Sequence, residues 1–122
     1  MKNAIKYWAP LYLYAALIFF TSSLSGPLPK LDVPQLDKLI HLIEYAIFGL
    51  LASRAFRNSY RQAFLKNYKI LAILLALVYG ISDEFHQLFV PGRDFSIFDM
   101  VFDGIGGMLG AFVYSARLKR NL

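Results

Sequence analysis

Apolar residues fall in four long stretches along the chain, at 7–24, 38–55, 70–90 and 97–116, and polar connections separate them. The first follows Lys2 and Lys6 and runs through Tyr7, Trp8 and a dense aliphatic and aromatic body to Phe20. Pro10 lies in its first turn, where a missing N–H costs a helix little. Tyr7 and Trp8 stand where an interfacial aromatic belt belongs. No small-x-small cleavage site closes this run, so it reads as a retained helix rather than a secretory signal. Residues 21–37 are rich in Ser, Gly and Pro and read as a loop.

The second stretch starts after Asp37, a suitable cap, and reaches Arg54. The next connection carries Arg54, Arg57, Arg61, Lys66 and Lys69 without an acid. Phe56, Tyr60, Phe64 and Leu65 recur in it at near-helical spacing, which predicts a short interfacial helix. The third stretch has thirteen uncharged residues from Ile70 to Ser82, then Asp83-Glu84-Phe85-His86-Gln87. A spanning helix needs about 20 residues, so these polar groups are expected at or just below a membrane surface. Pro91-Gly92 stops that helix. The fourth stretch opens with Asp99 and Asp103 and continues through Gly104, Gly106, Gly107 and Gly110. Gly106 and Gly110 have the spacing that lets membrane helices approach closely.

Composition agrees with a membrane as solvent. The 122 residues are 57% hydrophobic and 17% charged, with a mean hydropathy of +0.47. Soluble domains carry about 25% charged residues. A domain this small has too much surface to hide such a chain from water. The net charge of +5 comes from positives flanking oily stretches, without the stripe of basic and stacking groups that nucleic acid requires, so nucleic acid is not an expected partner. The absence of cysteine excludes disulfides, thiolate catalysis and cysteine–zinc sites.

The expected fold is all-α, an integral membrane bundle of four transmembrane helices forming one domain over 1–122. Its sidedness follows from the basic residues. With both termini cytoplasmic, Lys2, Lys6, Arg54, Arg57, Arg61, Lys66, Lys69, Arg117, Lys119 and Arg120 lie inside, and only Lys30, Lys38 and Arg93 lie outside. Basic residues prefer the cytoplasmic side. All eight acids, Asp32, Asp37, Glu44, Asp83, Glu84, Asp94, Asp99 and Asp103, then fall at the outer ends with both histidines.

Ionisable groups within a bilayer are costly and mark function. Asp37, His41 and Glu44 share one helical face, Asp83, His86 and Gln87 share another with Glu84 turned aside, and Asp99 and Asp103 share a third. Three readings stay open: a structural network that locks the bundle, a carboxylate-lined site recognising a polar group on a lipid or envelope molecule, and catalysis. For catalysis, a histidine takes a proton while a carboxylate orients it, or His41, Glu44, Asp83, His86 and Asp103 hold a divalent metal. Oxygen-rich ligation suits magnesium or manganese.

Three motifs carry a resemblance: Lys38-Leu-Ile-His41-Leu-Ile-Glu44-Tyr45-Ala46, Ser82-Asp83-Glu84-Phe85-His86-Gln87-Leu-Phe-Val-Pro91-Gly92-Arg93, and Asp99-Met-Val-Phe-Asp103-Gly104-Ile-Gly106-Gly107. In this order they resemble the VanZ-like membrane proteins, the family of a teicoplanin-resistance accessory protein, over residues 37–110. The resemblance implies a multi-pass protein of the cell membrane, acting at the cell envelope. It makes an outward-facing polar site plausible, with a lipid-linked cell-wall precursor or lipopeptide as partner. The matching positions are Lys38, His41, Glu44, Asp83, Glu84, His86, Gln87, Arg93, Asp99 and Asp103. In an enzymatic version His86 is the general base, His41 or Asp83 orients it, Asp99 and Asp103 bind the metal, and Arg93 meets an anionic head group.

Overall fold

The computed structural model describes residues 2–24, 36–92 and 95–121, with the side chains of Lys2, Asn3, Leu36 and Asp37 left aside. The expectations for Lys30, Asp32, Arg93 and Asp94 lie outside the described residues. Among those described, all regular structure is helical: α1 (Lys2–Ser23), α2 (Leu36–Arg57), α3 (Gln62–Lys66), α4 (Tyr68–Gln87) and α5 (Ile97–Arg120). The four apolar stretches became the four long helices, and the basic connection holds the five-residue α3.

Helix ends follow local chemistry, with two departures from expectation. α2 begins at Leu36, which puts Asp37 inside its first turn rather than before it. α4 ends at Gln87 instead of continuing to residue 90. Leu88, Phe89 and Val90 instead bond the carbonyls three residues back, at 3.2, 3.0 and 3.1 Å. The α conformation is disfavoured before a proline, so Val90 ahead of Pro91 tightens the exit. Gly92 then takes φ 80°, a conformation open mainly to glycine. Ser96 caps α5 by accepting the Asp99 amide at 3.3 Å.

Small residues set the packing of the three central helices. A Cβ on Gly110 would collide with the Ala46 carbonyl and come within 2.7 Å of the Leu50 amide nitrogen, and one on Gly106 would lie 3.0 Å from the Ala46 nitrogen. Gly49 of α2 sits equally hard against the Gly107 backbone. Leu42 to Gly106 and Ala46 to Gly110 advance together, so α2 and α5 run parallel. α4 lies antiparallel to both, with Ala76 on Gly107 and Gly80 on Asp103. α1 is attached more lightly. Its Tyr14 hydroxyl donates to the Glu44 carbonyl of α2 at 2.9 Å, and Tyr79 of α4 donates to the Ala15 carbonyl.

The outer surface is apolar on every long helix. Leu13 is 72% exposed, Ile43 53%, Val78 61% and Phe112 53%. Such a continuous oily exterior calls for lipid rather than water. Three helical segments, Ala4–Ser23, Lys38–Arg57 and Ile97–Arg120, are long and apolar enough to cross a membrane. The chain is a multi-pass integral membrane protein. α4 is not among those three segments, and its last turn carries Asp83, Glu84 and His86.

Charge separates along the bundle. Arg54 and Arg57 close α2, Lys66 closes α3, and Arg117, Lys119 and Arg120 close α5, each favourable beside a helix C-terminus. Arg54 also lies 4.6 Å over the Tyr7 ring and donates to the Lys6 carbonyl. α1 starts and α5 ends at this basic end. Gly106→Leu is expected to destabilise by overpacking, about 1–3 kcal/mol or more. Gly92→Ala should cost only the left-handed backbone penalty, about 1–2 kcal/mol. Thermal unfolding in micelles compares them, and equal melting temperatures for Gly106→Leu and the parent would refute the close-packing account.

Candidate functional site

At the opposite end, the parallel α2 and α5 bring their N-terminal turns side by side. His41 is buried on α2 and its Nδ1 lies 2.8 Å from Asp103 Oδ1. Its Nε2 is 3.7 Å from Asp99 Oδ2. Asp99 also pairs with Lys38, one turn before His41, and Lys38 Nζ reaches Ser96 Oγ at 3.5 Å. Asp99, in the first turn of α5, benefits from the positive end of that helix. His41 thus bridges two acids one turn apart on α5.

α4 supplies the third side. Asp83 and Glu84 are both buried, and Glu84 is fully so. Glu84 Oε2 accepts the Ser96 amide at 3.0 Å, which ties the end of α4 to the start of α5. The sequence pattern turned Glu84 aside; in the fold it faces the centre. α4 is enclosed by neighbours on more than one side, so two adjacent residues, about 100° apart around the helix, both reach the interior. Asp83 Oδ2 lies 3.4 Å from the Tyr45 hydroxyl, which donates to it.

Two carboxylate oxygens in this cluster, Glu84 Oε1 and Asp103 Oδ2, are buried without a hydrogen-bond partner. Among the described residues, two sets of potential ligand atoms each lie within 4.8 Å of one another: those of His41, Glu84 and Asp99, and those of Asp83, Glu84 and Asp103. The buried His/Glu/Asp cluster is therefore able in principle to coordinate a divalent cation. Asp99 and Asp103, expected to share a metal, fall in different groups, and Glu84 is common to both.

His86 stands apart. Its ring stacks on Phe19 of α1 with centroids 4.4 Å apart, and Nε2 lies 3.3 Å from Ser23 Oγ. Glu44 and Gln87 line a cavity of about 270 Å³ between α1, α2 and α4. Asp83, His41 and Ser22 share its polar floor, and Tyr14, Leu17, Ile18, Leu24 and Ile40 form its apolar wall. Among the described residues, His86 and Asp103 do not line this cavity. The cavity faces α1, and the acid cluster lies behind it toward α5.

Several site residues were not anticipated. Ser96 was readable, since Ser96-Ile-Phe-Asp99 has the spacing of a capping box ahead of an apolar run. Gly80 was not. A Cβ there would lie 2.9 Å from Asp103 Oδ2, so its lack of a side chain makes room for that carboxylate.

A VanZ/LLP1 family model matches residues 3–119. The chain belongs to the VanZ/LLP1 family. The match extends beyond the three motifs to α1 and to the basic end of α5, so the cavity and the acid cluster both lie within the VanZ/LLP1 region. An uncharacterized protein of Schizosaccharomyces pombe is 31% identical over 107 residues, 87% of this chain. This chain spans 63% of that relative's length. No solved structure matches.

Removing His41 leaves the buried Asp103 carboxylate without its partner, which costs about 3–5 kcal/mol in comparable pairs. Lys38 is 28% exposed, and Asp99 also has His41 and the positive end of α5 beside it, so Lys38→Met should cost less than His41→Ala. In the cycle of His41→Ala, Asp103→Ala and the double variant, a coupling of about 1–3 kcal/mol is expected from unfolding in micelles. A vanishing coupling would show that the pair does not hold α2 to α5.

Proposed function

We propose that this VanZ/LLP1 protein acts at the cell envelope by binding a lipid-linked molecule from the membrane, with its head group at the floor of the cavity between α1, α2 and α4. The observation that carries this reading is the cavity's divided lining. Leu17, Ile18, Leu24 and Ile40 suit a hydrocarbon tail, while His41, Glu44, Asp83 and Gln87 offer hydrogen-bonding and charged groups to a head. Binding sites take this form, apolar walls with a few placed polar groups. A lipid-linked wall precursor or a lipopeptide has this amphiphilic build, and the VanZ-like resemblance makes such envelope molecules the first to test. The fission-yeast relative widens the choice to membrane lipids not confined to bacterial walls.

In this reading α4 is the fourth crossing, and both termini are cytoplasmic because the basic end faces inward. The cavity and the acid cluster then face outward. Cysteines placed at Asn58 and Phe89, both exposed, check the orientation in whole cells. An impermeant thiol reagent should label Phe89→Cys and spare Asn58→Cys, and the reverse pattern inverts the topology.

A second reading, an enzyme hydrolysing or transferring a group on the same lipid, is favoured by the His41–Asp103 pair behind the cavity. There His41 is better placed than His86 as general base, because Asp103 orients its ring and it also lines the cavity. A scaffold accounts for the ion pairs of Lys38, His41 and Asp99 but assigns no task to Glu84 Oε1 or Asp103 Oδ2.

Lipids retained by the purified protein should be identified by mass spectrometry for the parent, Ile40→Trp, Glu44→Gln and the lipid-facing control Leu74→Trp. The parent and Leu74→Trp should retain one lipid class, and Ile40→Trp should lose it about tenfold, equal to about 1.4 kcal/mol. Equal retention by all four would sink the cavity reading. Cells carrying the same variants at matched abundance should be challenged with teicoplanin while their envelope lipids and wall precursors are profiled. An effect confined to the parent and Leu74→Trp would support the wall-linked form of the proposal.

A further inference from the structure

We propose that Asp83, Glu84 and Asp103 form a binding site for one hard divalent cation, magnesium or manganese, between α4 and α5. This goes beyond lipid recognition and does not depend on it.

Two of the three carboxylates are held by one oxygen and free at the other. Asp103 Oδ1 is fixed by His41 at 2.8 Å, and Oδ2 has no partner. Glu84 Oε2 is fixed by the Ser96 amide at 3.0 Å, and Oε1 has no partner. Both residues are fully buried. Gly80 and Glu84 are one helical turn apart and share a face of α4. Because Asp103 Oδ2 lies where a Gly80 side chain would be, the two orphan oxygens stand on the same side of α4. Asp83 completes the set, with ligand oxygens of all three within 4.8 Å of one another. Opposite ligands of a cation with bonds of about 2.0–2.5 Å lie about 4–5 Å apart, so these carboxylates can share an ion without moving a helix.

A buried cluster of this kind is neutralised either by protons or by counter-charge. Three carboxylates in a bilayer-embedded bundle cannot stay ionised at low cost without counter-charge. A divalent ion would offset two of the three charges, and His41 Nδ1 lies against Asp103. An all-oxygen donor set selects magnesium, manganese or calcium over softer metals. His41 would act behind the ion, orienting Asp103 as outer partners of metal ligands do. The alternative group, His41, Glu84 and Asp99, is less suited, because Asp99 already pairs with Lys38 and His41 with Asp103. The assignment thus replaces the expected Asp99–Asp103 pair with Asp103, Glu84 and Asp83. Since Asp83 also lines the cavity, the ion would lie beside its polar floor.

The test uses the full chain in detergent micelles, stripped with chelator and free of added lipid. Manganese binding is followed by electron paramagnetic resonance and by thermal unfolding. The parent should bind one manganese ion per chain and gain melting temperature from it. Glu84→Gln should weaken binding by about tenfold or more, as loss of a ligand or its supporting group does, and should abolish the thermal gain. Asp99→Asn should bind like the parent. Terbium in the same site should emit by transfer from Tyr45 and from Tyr79, whose rings lie 6.4 Å apart, and the double variant Tyr45→Phe, Tyr79→Phe should remove that emission while leaving manganese binding in place. A folded parent with no saturable manganese binding overturns the proposal, as does parent-like binding by Glu84→Gln. Should Glu84→Gln fail to fold, terbium emission that persists at parent strength in the double variant Tyr45→Phe, Tyr79→Phe overturns it instead. Manganese binding without lipid retention would leave this site standing while the cavity reading fails.

Discussion

Gly106 and Gly110 rest on the carbonyls of Leu42 and Ala46, and Gly49 rests on Gly107. In lipid there is no hydrophobic drive to bring helices together, so association depends on close packing and polar bonds. The glycine contacts supply the packing, and they also fix register. With α2 and α5 parallel and backbones touching, His41 is held level with Asp103, and Lys38 one turn earlier is held level with Asp99. Parallel packing carries an electrostatic consequence. Two positive helix ends lie next to each other, and acids near them are favoured. Asp99 at the start of α5 and the basic residues that close α2 and α5 follow this direction, whereas Asp83 and Glu84 lie at the C-terminal end of α4 against it.

α4 fits this pair because it too is narrow where it must be. Ala76 and Gly80 present almost no side chain to Gly107 and Asp103, and the first bulky polar group after them is Asp83. α1 has no such stripe. It touches the others through Tyr14, Tyr79 and a few large side chains, and so stands off from the bundle near its polar end. The cavity is what this looser contact leaves. Tight packing therefore places the charged groups, and looser packing at α1 leaves the cavity beside them.

Much of this was legible in the sequence. The four apolar stretches gave the long helices, the glycine spacing gave the closest contact, and the order of Lys38, His41, Asp83, Glu84, Asp99 and Asp103 gave the family. What single-helix periodicity could not give was the orientation of each face toward a particular neighbour. Glu84 was misplaced because α4 is enclosed by more than one helix, so one face does not exhaust its interior. His86 shares a helical face with Asp83, yet Phe19 of α1 covers it, and nothing within α4 foretells which neighbour a residue meets. The early stop of α4 follows from the effect of proline on the residue before it, which the apolar Leu88-Phe89-Val90 hides in the hydrophobic pattern.

The two ends of the bundle impose different constraints on change. At the basic end, Arg54 over Tyr7 and Lys69 over Phe112 keep long side chains on aromatic rings at the surface, where neighbours can adjust and single exposed charges are worth little. At the acid end the carboxylates are enclosed, and each depends on a named group: Asp103 on His41, Asp99 on Lys38, Glu84 on the Ser96 amide. A buried network of this kind stabilises poorly compared with apolar packing of the same volume. A bundle needing only cohesion would be served by leucines at positions 83, 84 and 103. The two anchored carboxylates instead leave an oxygen uncommitted on the face they share. Those are the two oxygens that the proposed cation site uses.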